Sequence, residues 1–192
     1  MMYPEVRKGS KRRAVFLDRD GTIAYDVPYC SSPEEFQLVE GVGEVLSLFS
    51  HYGFMLVVVT NQSGVGRGYF NEGDLAKIHD KMCWDLDQQG VSLDGIFYCP
   101  HHPDEGCACR KPNPGLLLKA SCDLDIDLPR SFMIGDQISD IQAAKAAGCR
   151  AVLVGDNPAY GSDANVTIDY SAIDIRQAGN WIIGEVTRVS EG

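Results

Sequence analysis

The sequence contains no long hydrophobic run. Its longest unbroken apolar stretch, residues 54–59, has six residues, whereas a membrane-spanning helix needs about 20. A membrane-embedded chain is therefore not expected. The opening stretch MMYPEVRKGSKRR is basic but lacks the apolar segment of an export signal. Cations are scarce overall, with 17 Lys and Arg against 27 Asp and Glu and a net charge of −10. A nucleic-acid or anionic-membrane binder would carry the opposite balance. A phosphate ligand would have to be met by local cations and backbone N–H groups. Low-complexity linkers, internal repeats and sharp composition boundaries are also absent. With 44% hydrophobic and 23% charged residues, the 192-residue chain can build one core without disulfide staples. The expected organisation is a basic, frayed arm over residues 1–13 and a single domain over 14–192.

Seven cysteines make an odd count. Cys30, Cys83, Cys122 and Cys149 are scattered and read as thiols of a reducing compartment, the cytoplasm. Cys99, Cys107 and Cys109 are clustered and read as metal ligands.

Short apolar runs at residues 14–17, 54–59, 95–98, 132–134 and 151–154 are continuous rather than alternating. That pattern suits strands buried on both faces, as in a parallel sheet. Residues 166–168 are a candidate edge strand. Between the runs lie helical patterns. Val42, Val45, Leu46 and Phe49 form one stripe, closed by Gly53. Asn71 is placed to cap a helix carrying Leu75, Ile78, Met82 and Leu86. Asn113 and Pro114 suit the cap and first turn of a helix over 116–122. Residues 138–147 end at Gly148, and 175–189 is helical but interrupted by Gly179 and Gly184. Alternating strands and helices predict a doubly wound α/β domain with a mainly parallel sheet and helices on both faces.

In such a sheet, ligands sit beyond the carboxyl ends of the strands. The residues there are Asp18-Arg19-Asp20-Gly21-Thr22 after the first run, Thr60-Asn61-Gln62-Ser63-Gly64 after the second, and Gly135-Asp136 with Asp140 after the fourth. Asp18 and Asp20 would repel each other without a cation nearby. Mg²⁺, which takes oxygen ligands and keeps waters for a substrate phosphate, suits them. Gly21 permits a tight turn whose N–H groups face an anion.

These motifs, D-R-D-G-T, T-N, a basic residue and G-D-x-x-x-D, resemble in type and order those of the haloacid dehalogenase superfamily of phosphohydrolases. The resemblance spans residues 18–140. It implies a Rossmann-like fold, Asp18 as nucleophile, and Asp20 as the acid and base that serves the leaving group and then water. It further implies Thr60 and Lys111 on the transferring phosphoryl group. Mg²⁺ would be held by the carboxylates of Asp18 and Asp136 and the backbone carbonyl of Asp20. Asp140, one helical turn past Asp136, would orient Lys111 or a metal-bound water, and is otherwise an acid favourable to a helix N-terminus.

Cys99-Pro-His101-His102-Pro-Asp-Glu-Gly-Cys107-Ala-Cys109 offers three thiolates and an imidazole within eleven residues. That donor set matches a closed tetrahedral Zn²⁺ site over residues 99–109. One histidine suffices, and His101 is preferred, leaving His102 toward solvent or the site mouth. The loop ends at Arg110-Lys111, so a bound Zn²⁺ would fix two cations beside the phosphate. The longer run C-P-H-H-P…C-A-C-R-K-P-x-P-G resembles a zinc-loop branch of the same superfamily. That branch contains phosphatases of heptose 1,7-bisphosphate, acting at the 7-phosphate, and of histidinol phosphate. It implies a sugar-phosphate substrate, with histidinol phosphate as the alternative, and a monomer. It also implies substrate contacts from Asp26, Val27, Pro28, Tyr29, Asn61, Gln62, Ser63 and Arg110. The role of Gln137 stays open. Arg67 is either a contact to a second phosphate or an ordinary surface residue. The segments between motifs leave no room for a large cap domain. From another class, a phospho-accepting signalling domain shares the acceptor acid, the Mg²⁺ acids and the lysine, but would have to retain its aspartyl-phosphate. A zinc-stabilised binding protein without catalysis is a third reading.

Overall fold

The structure is a computed structural model that describes residues 11–155 and 166–189. The expected basic arm falls largely outside the described residues. Within it, Arg12 exchanges backbone hydrogen bonds with Asp125 and Asp127, and Arg13 donates to the Tyr52 carbonyl at 2.7 Å.

The chain runs β1 (Ala14–Leu17), α1 (Val42–His51), β2 (Met55–Asn61), α2 (Ser63–Gly66), α3 (Glu72–Asp87), β3 (Gly95–Cys99), α4 (Gly115–Leu124), β4 (Phe132–Gly135), α5 (Ile138–Ala147), β5 (Arg150–Val154), β6 (Tyr170–Ala172) and α6 (Ile175–Val189). The strands form one sheet in the order β3-β2-β1-β4-β5-β6, with every pairing parallel. Because side chains alternate along each strand, both faces are apolar. Val15 and Leu17 pack with Leu56 and Val58 beneath α1, α3 and α6. Ala14 and Phe16 pack with Met55 and Val57 beneath α4 and α5. This two-sided burial is the reason the strand sequences read as continuous apolar runs. Among the described residues no helix is long and apolar enough to cross a membrane, and no separate cap is built between β1 and β3.

Strand order reverses direction at β1, whose neighbours are β2 and β4. Leu17 lies opposite Val58 on one side and Ile134 on the other. The chain therefore leaves β1, β2 and β4 at one level, and a crevice opens where helices depart to opposite faces.

Three local expectations need correction. The edge strand is Tyr170–Ala172 rather than 166–168, because Asp169 there accepts from the Ala151 amide through its side chain and the ladder begins beyond it. Asn113 does not cap α4. Its amide donates instead to the Cys107 carbonyl at 2.9 Å, and Pro114 occupies the cap position. α6 runs through Gly179 and Gly184 unbroken, since Gly179 lets the helix approach Val45 on α1. The short α2 carries no apolar periodicity and was not foreseen.

Asn71 does cap α3, accepting from the Asp74 amide at 3.1 Å while the Asp74 carboxylate accepts from the Asn71 amide. Asn71→Ala should lower the unfolding free energy by about 1 kcal/mol. In urea titrations it should shift the midpoint without changing the slope.

Candidate active site

Asp18 follows β1 and is positioned by its amide, which donates to the Ile134 carbonyl at 2.9 Å. Its carboxylate faces Lys111. Lys111 is 4% exposed, and its ammonium lies 2.6 Å from an oxygen of Asp18 and 2.6 Å from an oxygen of Asp140, and donates to the Val59 carbonyl at 2.9 Å. Residues 93 positions apart in sequence thus meet at one point. Carboxylate oxygens of Asp18, Asp136 and Asp140 all lie within 4.8 Å of one another.

The electrostatics follow from this crowding. Burial pushes the Asp18 carboxyl up to about 7, against the pull of Lys111. Asp136 is raised by burial and by the neighbouring charge of Asp18. Burial opposes the charge on Lys111, but Asp140 and Asp18 outweigh it and hold the ammonium above the ordinary lysine range. Three acids around a single lysine leave surplus negative charge, and oxygen donors in this arrangement fit a hard divalent cation.

Two glycines make the approach feasible. Gly21 has φ +79, and a Cβ there would meet an Asp136 oxygen at 2.5 Å. A Cβ on Gly135 would lie 2.3 Å from Asp140. Thr22 donates to Asp136 at 3.3 Å and Gln137 to its other oxygen at 2.6 Å. Asp140 also accepts from the Gln137 amide at 3.0 Å, forming the capping box of α5.

Asp20 is held differently. Arg19 forms a two-pronged ion pair with it, both contacts at 2.9 Å, and Gln62 donates to it at 2.8 Å. Its side chain is therefore outside the three-carboxylate cluster, in which Asp140 takes part instead. Gln62 also donates to the Thr60 hydroxyl oxygen at 2.8 Å, leaving the hydroxyl proton of Thr60 for another acceptor. Asn61 clamps Lys111 through its backbone, donating to the carbonyl and accepting from the amide, each at 3.1 Å.

These groups line one cavity of about 380 Å³. Asp18, Asp20, Asp26, Val27, Tyr29, Thr60, Asn61, Gln62, Ser63, Arg110, Lys111, Asp136, Gln137 and Asp140 all reach it. Pro28 does not line it: it is exposed in the turn between Val27 and Tyr29. Arg67 also stands outside, with its guanidinium 5.8 Å from the ring centre of Tyr29. Arg19, Cys30, Phe70 and Ser139 line the cavity without having been singled out. Arg19 carries no signal in the pattern. It is fully buried and turns back onto its neighbour, a local ion pair that spacing does not reveal.

The cysteine loop closes as one cluster. Cys109 Sγ lies 3.3 Å from Cys99 Sγ, 3.4 Å from Cys107 Sγ and 3.2 Å from His101 Nδ1. Cys99 lies 3.5 Å from Cys107. Sulfurs bonded to one Zn²⁺ at about 2.3 Å in a tetrahedron would stand about 3.8 Å apart, so the donors fit the ion with a small expansion. His102 is turned away: its ring accepts from the Asp104 amide at 3.2 Å. The loop is docked on β2 and α2 through the Gln62 amide to the Cys99 carbonyl and the Gly66 amide to the Pro100 carbonyl, both 2.8 Å.

The chain belongs to the haloacid dehalogenase-like hydrolases: residues 108–178 match the HAD-hydrolase-like family, and relatives within it align over most of their length. It is 50% identical over 141 residues to the D-glycero-beta-D-manno-heptose-1,7-bisphosphate 7-phosphatase of Photorhabdus laumondii, covering 70% of this chain and 75% of that protein. The protein of the same name from Escherichia coli K12 is 47% identical over 141 residues, 70% of this chain and 74% of the relative. The crystal structure of the D,D-heptose 1,7-bisphosphate phosphatase of B. bronchiseptica, complexed with magnesium and phosphate, superposes with a TM-score of 0.82 at 35% identity, covering 90% of this chain and 99% of that one.

The raised Asp18 carboxyl yields a prediction. A divalent cation binds the ionised acid, and with a value near 7 the proton competes increasingly as pH falls. Magnesium titrated calorimetrically should bind more weakly at pH 6 than at pH 8, with proton release on binding that grows as pH falls from 8 through 7 to 6. An affinity independent of pH over this range would contradict the geometry.

Proposed function

We propose that this chain is a Mg²⁺-dependent phosphatase that removes the 7-phosphate of D-glycero-D-manno-heptose 1,7-bisphosphate through an aspartyl-phosphate. The observation that carries this reading is the meeting of Asp18, Asp136, Asp140 and Lys111 in one cavity at the carboxyl ends of β1, β2 and β4. The relatives' name supports the heptose substrate and, in its wording, the β anomer.

In this reading, an Asp18 oxygen attacks phosphorus as the ester P–O bond breaks. Asp20 gives its proton to the leaving alkoxide. Asp20 then takes a proton from the water that cleaves the acyl phosphate, releasing inorganic phosphate and restoring Asp18. Lys111 neutralises phosphoryl charge, and the Thr60 hydroxyl, whose oxygen is already occupied by Gln62, donates to the phosphoryl group. Asp18, Asp136 and the Asp20 carbonyl would hold Mg²⁺, which supplies charge stabilisation to the phosphoryl oxygens when bound. Asp140 positions Lys111. Cys99, His101, Cys107 and Cys109 would hold Zn²⁺ as a structural ion.

Arg110 supports a doubly phosphorylated substrate. It lines the cavity, and one of its guanidinium nitrogens is buried without a protein partner, ready for an anion. The histidinol-phosphate alternative calls for acids near the phosphate. Of Asp26, Glu34, Glu35, Asp104 and Glu105, Asp26 alone reaches the cavity, so four of the five acids that could receive an ammonium lie outside it. A signalling domain would need its phospho-aspartate protected from water, whereas Asp20 stands two residues away with its carboxylate in the same cavity. The same reading has the chain act as a cytoplasmic monomer without nucleic-acid or membrane partners.

Asp18→Asn should reduce turnover at least a thousandfold while circular dichroism is preserved, and a substrate panel with and without Mg²⁺ should rank the heptose bisphosphate above histidinol phosphate. A higher kcat/KM on histidinol phosphate would overturn the substrate assignment. Cys107→Ala should lose zinc in elemental analysis, become cleavable by protease within 99–111, and raise KM more than it lowers melting temperature.

A further inference from the structure

At the opposite end of the strands, three arginines converge on a second cavity of about 330 Å³. Arg13 precedes β1, Arg130 precedes β4 and Arg150 opens β5. Five residues of extended chain separate Arg13 from Asp18, about 17 Å, so this cavity is distinct from the catalytic one. In a chain of net charge −10, a concentration of cations calls for an explanation.

Their internal partners are few. Arg150 donates to Glu185 at 2.8 Å, and Glu185 is shared with Arg188 at 3.1 Å. Arg130 has a loose contact with Asp127 at 3.7 Å, with 61% of its side chain exposed. Such surface pairs contribute little. Arg13 has no carboxylate partner among the described residues; it donates to the Tyr52 carbonyl and lies 4.3 Å over the Phe54 ring. Its affinity for a proton is lowered by burial and, less strongly, by the charge of Arg130.

Arg13 and Arg150 are held in place by aromatic surfaces. The Arg150 guanidinium lies 5.0 Å from the Phe132 ring centre and 4.7 Å from that of Trp181. Trp181 stacks in turn on Tyr170 at 4.9 Å. Planar stacking fixes a guanidinium fork while leaving its edge for hydrogen bonding. Three guanidiniums face one lining carboxylate, so the cavity has a surplus of about two positive charges. That surplus matches a phosphate dianion at neutral pH.

We infer that Arg13, Arg130 and Arg150 form a second anion site, for inorganic phosphate or the phosphate group of a small phosphomonoester, at the amino-terminal edge of the sheet. The assignment stands independently of the catalytic reading.

The chain has two tryptophans. Trp84 is exposed on α3, so in a Trp84→Phe background the emission reports Trp181, beside Arg150. Inorganic phosphate added to this protein without Mg²⁺ should change the emission with a saturating curve, while potassium chloride at matched ionic strength should not. Arg130→Gln, a mostly exposed position, should raise the half-saturation concentration about tenfold and leave turnover in the presence of Mg²⁺ unchanged. Glycerol phosphate saturating well below inorganic phosphate would assign the site to an ester, and equal midpoints would assign it to the free anion. A response reproduced by chloride, no response to either phosphate, or the same midpoint in Arg130→Gln would overturn the proposal.

Discussion

The buried ammonium of Lys111, gripped between Asp18 and Asp140, is the constraint around which the catalytic end of the molecule is arranged. A charge removed from water in this way persists only if it is paired and hydrogen-bonded. Two carboxylates and the Val59 carbonyl meet that demand. The same contacts fix where β1, β2 and α5 stand relative to the loop that carries the lysine. Removing either acid would leave the lysine with half its compensation, and removing the lysine would leave three acids facing one another. The carboxylate cluster is thereby also a structural joint, and its geometry is set before any ligand arrives.

Much of this was legible in the chain. The strand runs announced a parallel sheet because both faces are covered, and the polar residues immediately after them marked the crevice. Asn71 and Gly148 gave helix ends correctly, because capping is local chemistry. The cysteine and histidine spacing picked out four side chains whose donor atoms the fold brings within 4.8 Å of one another.

What could not be read was non-local or concealed by short-range pairing. The position of β6 depends on how Asp169 ties down the Ala151 amide from a strand away. Asn113, a plausible cap by type, is drawn to Cys107 by the loop's closure. Asp20 and Arg19 form an ion pair between adjacent residues, which spacing does not reveal. The arginine cavity joins positions 13, 130 and 150, each unremarkable alone, and only the parallel register of β1, β4 and β5 collects them.

The cysteine loop docks largely by main-chain contacts. Asn61 holds the backbone of Lys111, and the amides of Gln62 and Gly66 hold the carbonyls of Cys99 and Pro100. Such an attachment is indifferent to most side chains between Cys99 and Cys109. Side chains at positions 103–105 can therefore be exchanged while the main chain of the loop keeps Lys111 where it stands.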